Sequence, residues 1–498
     1  MAEPHNRTPQ RLAIAGGGIT GLTAAYYAIQ QGQPGSAIDI YEGSDRLGGQ
    51  IRSVLAQDGK VINKGAEFID STHTELRAIC AALNVPLLPS TDQGEQSFQR
   101  ADGSIIKGAE FMEAFEPVFY HIRRHREEVL QNPEGALARK LDQMSLAEYM
   151  AHMGATIPRQ NPPPFFARVK KWFGMDENRV DPEILTMAMQ AYVSESGRAP
   201  EEINARQFVH EVSSRPGQIL ESDCAYRVEG GTEKIVDALK KYLTQHGVRF
   251  HENAALSRVD KQGEKLQLNF ENTAIPPAAT DRLLLALPTY SLAKIEGLEH
   301  LGLPQGTTAK LADMQYTNSV KFTVPLKPGV KMSDGNFFSI HGYQAWSALD
   351  GQMTFLASAK DMKSPKKLIR DVLEDFARSH GQTSEKMFVL EQGSVEFSNP
   401  GKSPCYASPG KGQVNMAESF RQAFSTMTAS GVTVAGSFLP LRRGNEYGIG
   451  FIEAGVVSGQ QAIDQLQLVS KGRAPYLEKI IGHRSDRDRN APSAPATR

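Results

Sequence analysis

Three glycines near the N-terminus have a spacing that suits phosphate binding. Gly16, Gly18 and Gly21 form a G-x-G-x-x-G pattern. The first glycine permits a tight turn, the second lets a pyrophosphate approach the backbone, and the third lets a following helix pack closely. Phosphates would then meet the N–H groups at the start of that helix. Glu42 follows Gly21 by 21 residues, a distance at which a carboxylate accepts hydrogen bonds from a ribose. The pattern predicts a dinucleotide site.

Secondary-structure elements of the right kind surround these residues. The apolar run Leu12–Ala15 predicts a short buried strand, and Ala37–Tyr41 predicts a second strand that leads into Glu42. Between the strands, apolar residues recur at helical spacing until Gly32, which ends the helix. The order of strand, helix, strand and acid favours a dinucleotide site over an ordinary glycine-rich turn.

Length and composition limit the remaining possibilities. A chain of 498 residues predicts at least two domains. Its 55 basic and 56 acidic residues give a net charge of −1, so neither nucleic acid nor an anionic membrane is an expected partner. The three cysteines, Cys80, Cys224 and Cys405, are far apart, which argues against a disulfide framework and a zinc site. No metal ion is expected.

The chain ends and the apolar runs predict a cytoplasmic protein. The first ten residues are polar, unlike a secretory signal. No run of about 18 apolar residues occurs, so no membrane-spanning helix is predicted. Residues 483–498 are polar and rich in Pro and Ala, which predicts a disordered tail.

The residues that follow Glu42 resemble a known superfamily. Residues 42–49 read EGSDRLGG, in which Arg46, Gly48 and Gly49 form a second glycine-assisted turn. The run resembles the motif after the ribose-binding acid in FAD-dependent amine oxidases, protoporphyrinogen oxidases and carotenoid desaturases. In that superfamily the arginine and the glycines lie along the FAD pyrophosphate and ribityl chain. The resemblance implies FAD, rather than NAD, as the cofactor.

A later turn resembles the part of the family that passes the reactive end of the flavin. It consists of Gly65, Ala66, Glu67 and Phe68, in the sequence KGAEFID. The resemblance implies that these four residues contact the cofactor. Two interpretations of Glu67 remain open: an acid that faces the substrate, or a helix-capping or surface carboxylate.

The middle of the chain continues the resemblance. The segment YRVEGGT, residues 226–232, precedes a predicted helix, Lys234–His246, and a predicted strand, Val248–Asp260. In the family a valine of such a strand contacts the adenine through its backbone, and Val259 is the matching position. Arg282–Pro288 resembles the family's return strand.

Lys321 is the first candidate for a catalytic role. It lies in Met314–Val324, a segment whose sequence predicts a strand. In amine oxidases a lysine on a comparable strand hydrogen-bonds through a water molecule to flavin N5. A cation there would favour the reduced flavin and assist its reoxidation by oxygen. The alternative is a surface lysine at the edge of a sheet. An aromatic-rich hairpin, residues 337–346, would either line the pocket or belong to the core.

A Cys–Tyr pair near the C-terminus resembles that of the monoamine oxidases. In those enzymes the cysteine is linked covalently to the flavin, and the tyrosine faces the substrate. The matching residues are Cys405 and Tyr406. Many family members hold FAD noncovalently, which is the expectation here. A covalent link at Cys405 remains the alternative.

A final segment resembles the last flavin-binding element of the family. A predicted strand, Thr433–Ala435, leads into a loop, and a helix begins near Gly450. The N-terminus of that helix would stabilise an anionic reduced flavin ring. The resemblance implies cofactor contacts from five positions: Gly436, Ser437, Gly450, Phe451 and Ile452.

Two features of this segment bear on the substrate. Phe451 matches the second aromatic residue that encloses the amine, so it would act together with Tyr406. Ser437 stands where the family commonly has an acid, which is a departure from its pattern. Arg442 and Arg443 would either bind a substrate carboxylate or lie on the surface as ordinary charged residues.

Taken together, the resemblance implies an α/β fold. It predicts a two-dinucleotide-binding, Rossmann-like FAD domain built from discontinuous segments, residues 1–89, 223–304 and 401–470. An α+β substrate domain would comprise residues 90–222 and 305–400.

The implied function is oxidation of a small-molecule amine. A hydride would pass from the carbon next to the amine nitrogen to flavin N5, which gives an imine and then a carbonyl. Oxygen would accept the electrons and yield hydrogen peroxide. A homodimer is compatible with the sequence. One alternative is a protoporphyrinogen-oxidase-like or desaturase-like FAD oxidoreductase. A second, of another class, is a flavin-bearing interaction protein without catalysis.

Overall fold

A five-stranded parallel sheet lies at the centre of the fold. The computed structural model describes residues 9–56, 59–90, 96–156, 180–213, 219–220, 222–332, 335–348, 351–359, 365–397, 405–443 and 446–468, and the predicted tail lies outside them. In sheet order, the strands are β10 (Arg249–His251), β2 (Ile38–Tyr41), β1 (Leu12–Ala15), β14 (Arg282–Leu285) and β20 (Val432–Val434).

Strand β1 shows why this sheet is central. Leu12 and Ile14 pack into one core cluster, whereas Ala13 and Ala15 pack into another on the opposite face. Both faces of the sheet are therefore covered, which accounts for the unbroken apolar runs of its parallel strands.

A seven-stranded mixed sheet forms a second layer. All its strands come from residues 90–222 and 305–400, whereas all strands of the parallel sheet come from other segments of the chain. In sheet order, the strands are β19 (Ser394–Phe397), β15 (Ser319–Pro325), β18 (Gln352–Ser358), β17 (Tyr343–Ala348), β16 (Asn336–Ser339), β7 (Ser97–Gln99) and β8 (Ile105–Lys107).

Four smaller sheets complete the strands of the described residues. They are a three-stranded sheet of β11 (Leu256–Gln262), β12 (Lys265–Phe270) and β13 (Ala278–Thr280), a three-stranded sheet of β5 (Phe68–Ile69), β9 (Tyr226–Val228) and β6 (Leu87–Pro89), and the pairs β3 (Ser53–Leu55) with β4 (Val61–Asn63) and β21 (Leu441–Arg443) with β22 (Glu446–Gly448).

Helices surround both large sheets. Short 3₁₀ turns occur at Gly35–Ala37, Leu298–Leu301, Leu390–Gln392 and Thr428–Ser430. The α-helices are α1 (Ile19–Gln30), α2 (Thr74–Ala82), α3 (Gly108–Gln131), α4 (Ala136–Asp142), α5 (Leu146–Thr156), α6 (Pro182–Ser196), α7 (Ala205–Glu211), α8 (Glu233–Gln245), α9 (Thr289–Leu292), α10 (Thr307–Asp313), α11 (Pro365–Ser379), α12 (Ser384–Met387), α13 (Gln413–Ser425) and α14 (Ile452–Leu466). Within the described ranges, no helix is both long and apolar enough to cross a bilayer.

One predicted strand is wrong. Val248–Asp260 forms two strands, β10 and β11, which belong to different sheets. The chain turns between them at Asn253, whose φ is +56°. Asparagine tolerates this left-handed conformation, so the turn carries no glycine or proline that would have marked it in the sequence.

Helix α14 packs against α1 through two glycines. A Cβ at Gly455 would lie 2.7 Å from Thr20 Oγ1, and a Cβ at Gly459 would lie 2.8 Å from the Thr20 carbonyl oxygen. Only glycine allows the two helices to approach this closely. The contact joins the C-terminal helix to the helix that follows the glycine pattern.

Replacing Gly459 with Ala is expected to lower the free energy of unfolding by about 1–3 kcal/mol, because the added methyl group overlaps a backbone oxygen. Urea unfolding followed by circular dichroism measures the change. Gln460→Ala, at a half-buried position of the same helix, is the matched control and should stay within about 0.5 kcal/mol of the wild type. Equal losses in both variants would contradict the packing explanation.

Candidate active site

The glycine pattern forms a turn with one open side. A Cβ at Gly16 would lie 2.3 Å from the Ala286 carbonyl oxygen, and a Cβ at Gly21 would lie 2.0 Å from the Gly16 carbonyl oxygen. At Gly18 the nearest atom to such a Cβ is the Gly49 Cα, 3.7 Å away. Gly16 and Gly21 are thus required by packing within the protein, whereas the space beside Gly18 is open.

The second glycine turn lies directly beside the first. Gly48 donates its N–H to the Gly17 carbonyl over 2.9 Å. Arg46 braces this turn, because its guanidinium donates to the carbonyls of Gly49 at 3.1 Å and Ile51 at 2.6 Å. The same guanidinium forms an ion pair with Glu233 at 3.4 Å. Arg46 therefore holds the shape of the turn.

Glu42 stands at the end of β2, beside both glycine turns. One carboxylate oxygen accepts the Gly17 N–H at 2.8 Å, and the other accepts the Ser44 N–H at 2.9 Å. These bonds fix the carboxylate next to the start of α1. Gly18, the N-cap of that helix, has no side chain with which to cap it.

Val259 is the position that the family resemblance matches to an adenine contact. Its side chain is fully buried, and its N–H donates to the Glu296 carbonyl at 3.0 Å. The backbone that meets Glu42 is that of Ala254, whose N–H donates to the Glu42 carbonyl at 2.7 Å. The turn at Asn253 brings Ala254 to this place.

The Gly65 turn meets the lysine strand. Lys321 Nζ donates to the Gly65 carbonyl at 3.0 Å and to Glu67 Oε2 at 2.8 Å. A Cβ at Gly65 would lie 1.9 Å from the Gln50 carbonyl oxygen, so this turn also depends on glycine. Ala66 is tied to the same residue, because its N–H donates to the Gln50 carbonyl at 3.2 Å.

The sequence left open that Lys321 and Glu67 are surface residues. The structure places neither side chain on the surface. Strand β15 is flanked by β18 and β19, and the Lys321 side chain is 13% exposed. The Glu67 side chain is 6% exposed, and its second oxygen lies 3.3 Å from Trp346 Nε1 and 3.6 Å from Arg227 Nη2. Glu67 thus bridges two cations and an indole N–H.

The charges around Glu67 explain its protonation state. Burial acts to raise the pKa of Glu67, but the positive charges of Lys321 and Arg227 outweigh it and hold the pKa below its usual range. The guanidinium of Arg227 also lies over the Phe68 ring at 4.8 Å. Lys321 Nζ lies 5.6 Å from the centroid of the Trp346 ring.

Tyr406, one of the two proposed cage residues, packs beside Gly450, which directly precedes the other, Phe451. A Cβ at Gly450, whose φ is +90°, would lie 2.7 Å from Tyr406 Cδ2. Phe451 follows as the N-cap of α14, and its ring is edge-on to that of His73, 6.2 Å away. The Tyr406 hydroxyl donates to the Glu195 carbonyl. The fold therefore brings Tyr406 and the start of α14 together from distant parts of the sequence.

Hydrogen bonds from backbone N–H groups hold the loop before α14. Gly450 donates its N–H to the Ser437 carbonyl at 2.7 Å, and the Gly436 N–H donates to Ser458 Oγ at 3.0 Å. Ile452 begins the helix and packs against the core cluster that also contains Leu12. The side chains of Arg442 and Arg443 lie outside the described residues.

Cys405 is a buried thiol. Its side chain belongs to the core cluster beside the central sheet, and the residue is 4% exposed. Burial raises the pKa of Cys405 to about 12, so the thiol stays protonated. Its carbonyl accepts a hydrogen bond from Gln50, in the segment between the two flavin-type turns.

A pocket adjoining Tyr406 contains residues that the sequence did not single out. Helix α6 contributes Tyr192 and Glu195. Burial, followed by the charges of Glu211 and Asp70, raises the pKa of Glu195 to about 8. Once ionised, a carboxylate in this pocket would suit a cationic group. Ile219, Ser222, Cys224 and Phe338 are among the other residues that line the pocket.

Two further acids support this region. Glu211 accepts a hydrogen bond from the Tyr192 hydroxyl at 2.5 Å, and burial raises the pKa of Glu211 to about 7.

Glu453, buried at the start of α14, accepts the N–H groups of Glu75 at 2.8 Å and Leu76 at 3.0 Å at the start of α2. The sequence signal for Glu453 is an acidic residue within an otherwise apolar helical segment.

FAD fits the residues of this site. The open space beside Gly18 and the uncapped start of α1 suit a pyrophosphate, and the Glu42 carboxylate suits a ribose. The start of α14, whose N-cap Phe451 makes no side-chain capping bond, offers N–H groups for the flavin end.

Comparison with known proteins identifies the family. A model of the flavin-containing amine oxidoreductases matches residues 19–438, most of the chain. The chain belongs to this family. The prediction of a flavoprotein oxidoreductase of the amine oxidase superfamily is therefore confirmed.

Curated relatives of this flavin-containing amine oxidoreductase match over short stretches. A probable flavin-containing monoamine oxidase A of Dictyostelium discoideum is 33% identical over 84 residues, 17% of this chain and 18% of the relative. A protoporphyrinogen oxidase of Bos taurus is 44% identical over 58 residues, 12% of each. The matched stretch thus spans under a fifth of these relatives.

Solved structures resemble the chain over most of its length. A putrescine oxidase bound to putrescine has a TM-score of 0.70 and 16% identity, and the match covers 92% of this chain and 98% of the other. The cyclohexylamine oxidase of Brevibacterium oxydans IH-35A has a TM-score of 0.67 and 16% identity, with 95% and 100% covered. At this identity the likeness concerns the fold, and it confirms the predicted α/β class with an FAD-type domain.

Proposed function

We propose that this protein is an FAD-dependent oxidase of small-molecule amines. The observation that supports this most directly is the buried Lys321, which lies against the Gly65 turn in a site that fits FAD. FAD, when bound, would supply the acceptor for a hydride from the carbon next to the amine nitrogen, with oxygen as the final acceptor and peroxide as product.

Lys321 would place a fixed positive charge beside the reactive end of the cofactor. A preorganised cation in a site that excludes water stabilises negative charge without reorganisation. The side chain is 13% exposed, and its ammonium is fixed by two hydrogen bonds. These two hydrogen bonds explain why a lysine is accommodated in β15, an interior strand of the seven-stranded sheet.

Tyr406 and Phe451 would enclose the amine. Tyr406 is fixed by its hydrogen bond to the Glu195 carbonyl and by its contact with Gly450. Rigid aromatic walls orient a substrate and exclude water without a rotamer change. Glu195, in the adjoining pocket, would attract the cationic form of the amine before reaction.

The mode of cofactor binding is also part of the proposal. We propose noncovalent FAD, because the Cys405 thiol is buried in the core and stays protonated. The FAD-binding part would consist of residues 1–89, 223–304 and 401–470, and the substrate part of residues 90–222 and 305–400. Treatment with acid should release the flavin into solution, whereas a covalent link would keep it on the precipitated protein.

Anaerobic mixing tests the proposed activity. The purified yellow protein would be mixed with monoamines, diamines, polyamines and amino acids, and its visible spectrum recorded. Bleaching by one class, followed by peroxide when air is admitted, supports an amine oxidase. A flavoprotein that no amine bleaches, but that a porphyrinogen reduces, would contradict the proposal.

Amine binding is expected to depend on pH through Glu195. Below pH 8 this carboxyl is mostly neutral, and above it is an anion. A primary amine stays protonated to about pH 10. Affinity for the cation should therefore rise with pH, by up to about tenfold per unit below 8, and then level off.

An anaerobic spectral titration with a primary amine between pH 6 and 9 measures this dependence. Glu195→Gln should bind more weakly above pH 8 and lose the dependence. Glu201→Gln, at an exposed acid of the segment after α6, is the control and should behave as the wild type. The same pH dependence in both variants would remove Glu195 from substrate binding.

A further inference from the structure

The segment that carries Tyr406, residues 405–412, is held by backbone hydrogen bonds near its start. The Tyr406 carbonyl accepts the Thr317 N–H at 2.9 Å, and the Ser408 N–H donates to the Gln315 carbonyl at 2.9 Å. These bonds join the segment to the residues that lead into β15. The backbone around Tyr406 is therefore fixed from one direction.

Asn204, which precedes α7, holds the other end of this segment. Its N–H donates to the Pro409 carbonyl at 3.1 Å, and its Nδ2 donates to the Gly410 carbonyl at 2.9 Å. Asn204 is fully buried, so water has little access to these two bonds. The ring of Pro409 fixes one backbone rotation, which leaves the chain less freedom to absorb a shift before it reaches Tyr406.

The side-chain amide of Asn204 is fixed in one orientation. Its Oδ1 accepts the Arg206 N–H at 2.8 Å and the Gln207 N–H at 3.2 Å, and these bonds cap α7. Its Nδ2 also donates to Asp142, whose Oδ1 and carbonyl oxygen each lie 2.9 Å away. Because the helix start requires an acceptor and the Gly410 carbonyl requires a donor, the amide oxygen and nitrogen cannot exchange places.

Asp142 extends the connection to the end of the segment. It is fully buried, its carbonyl accepts the Gly412 N–H at 2.7 Å, and its Oδ1 accepts the Val414 N–H at 3.1 Å at the start of α13. In the proposed division of the chain, Asp142 and Asn204 belong to the substrate part and residues 405–412 to the FAD-binding part. The pair thus ties the Tyr406 segment to the helices of the other part.

We infer that Asn204 is a positioning residue for the amine, because it fixes the place of Tyr406 through the backbone of residues 409–410. The inference rests on the proposed function and adds to it a residue that acts only through another. A misplacement of about 1 Å in a substrate-orienting group lowers the rate of the chemical step by up to about a hundredfold. The bond from the Tyr406 hydroxyl to the Glu195 carbonyl would remain, so loss of the Asn204 contact should displace Tyr406 rather than release it.

Replacing Asn204 with Ser separates the two functions of this side chain. Serine is also a good N-cap, so α7 keeps its cap, but the shorter side chain no longer reaches the Gly410 carbonyl. N204S holoenzyme would be mixed anaerobically with increasing concentrations of hexylamine, benzylamine or putrescine. The limiting rate of flavin reduction should fall about tenfold or more, whereas the apparent Kd of the amine should change less than about threefold. An unchanged limiting rate would overturn the inference.

Asp181→Ser is the matched control for this substitution. Asp181 caps α6 by accepting the Glu183 N–H at 2.9 Å, and serine keeps that cap as well. Among the described residues, Asp181 makes no bond to residues 405–412. D181S should keep the limiting rate within about twofold of the wild type. Equal losses in D181S and N204S would overturn the inference, because a change of helix cap would then explain both.

A double-mutant cycle with Tyr406→Ala shows whether Asn204 acts through Tyr406. In the Y406A background, N204S should change the limiting rate less than about twofold, because the ring that Asn204 positions is already absent. Residues that act independently have additive effects on the activation free energy. A loss as large in the Y406A background as in the wild type would therefore overturn the inference.

Hydrogen exchange of the holoenzyme without amine gives a measurement that does not depend on turnover. N204S should speed amide exchange in residues 405–412 by about tenfold or more, and D181S should leave it unchanged. Unchanged exchange in N204S would overturn the inference, whatever the amines do. A wild-type enzyme that no amine reduces would instead overturn the proposed function, and with it the assignment of Asn204 to amine positioning.

Asn204→Asp takes the place of N204S if that variant does not fold. Aspartate keeps the side-chain volume and the α7 cap, but it turns an oxygen instead of an N–H toward the Gly410 carbonyl. The same loss of limiting rate and the same faster exchange are expected. Wild-type behaviour of N204D in both measurements would count against the inference.

Discussion

Replacing Lys321 with Met is expected to slow reoxidation of the dithionite-reduced enzyme by oxygen by about a hundredfold. Lys321 supplies the fixed positive charge at the Gly65 turn, and methionine fills a similar volume without that charge. Stopped-flow absorbance of the returning oxidised flavin measures the rate. Reduction by substrate should change less, because Lys321 is not required to remove a proton from the amine.

Lys64→Met is the matched control for this substitution. Lys64 is 20% exposed and pairs with Glu396 at 3.3 Å, so it is a partly buried lysine of the same region with another partner. Its loss should leave the reoxidation rate within about twofold, because its ammonium pairs with Glu396 and is not fixed against the Gly65 carbonyl. An unchanged rate in K321M would remove Lys321 from the oxidative half-reaction.

K321M should also be less stable, which must be separated from its effect on the rate. The substitution leaves the Glu67 carboxylate buried with Arg227 as its remaining ionic partner, and breaking a buried pair costs about 3–5 kcal/mol. Urea unfolding of the variant determines this cost. The rate should therefore be measured where circular dichroism shows that the variant is folded.

Replacing Gly18 with Ala is expected to weaken FAD binding by about ten- to hundredfold without unfolding the protein. Gly18 has a φ of −74°, which alanine adopts without strain. The alanine Cβ would lie 3.7 Å from its nearest protein atom, the Gly49 Cα. The methyl group would instead occupy the open space that we propose for the pyrophosphate. Flavin fluorescence during titration of the apoprotein measures the affinity.

Two other glycines complete this test. Gly21→Ala should lower the yield of folded protein, because its Cβ would lie 2.0 Å from the Gly16 carbonyl oxygen. Gly393→Ala, next to Val324 in the second large sheet, should retain FAD affinity. If G18A binds FAD as tightly as G393A does, the cofactor does not pass beside Gly18.

The sequence determined the strand–helix–strand unit around the glycine pattern because its signals are local. Glycines at fixed spacing, an apolar strand on each side of a helix and an acid at a strand end all lie within residues 11–42. The strand Leu12–Ala15 has the predicted bounds, and α1 ends two residues before Gly32. Such features follow from backbone conformation and burial, which neighbouring residues largely set.

Only the tertiary structure decided which charged groups meet. Lys321 and Glu67 are 254 residues apart, and the Tyr406 hydroxyl reaches a carbonyl 211 residues away in α6. Glu195 carried no sequence signal, because its pKa depends on burial and on acids from other elements. The position of Ala254 beside Glu42 likewise depends on a turn that the alternating sequence concealed.

The physical reason for this division is the range of the interactions. Local spacing specifies a turn or a helix start, since these need only a few consecutive residues. A buried ion pair such as Glu67–Lys321 depends on the pairing of β15 with β18 and β19 and on the place of the Gly65 turn. That pairing is a property of the whole fold, so the sequence named Lys321 and Glu67 separately, and the structure joined them.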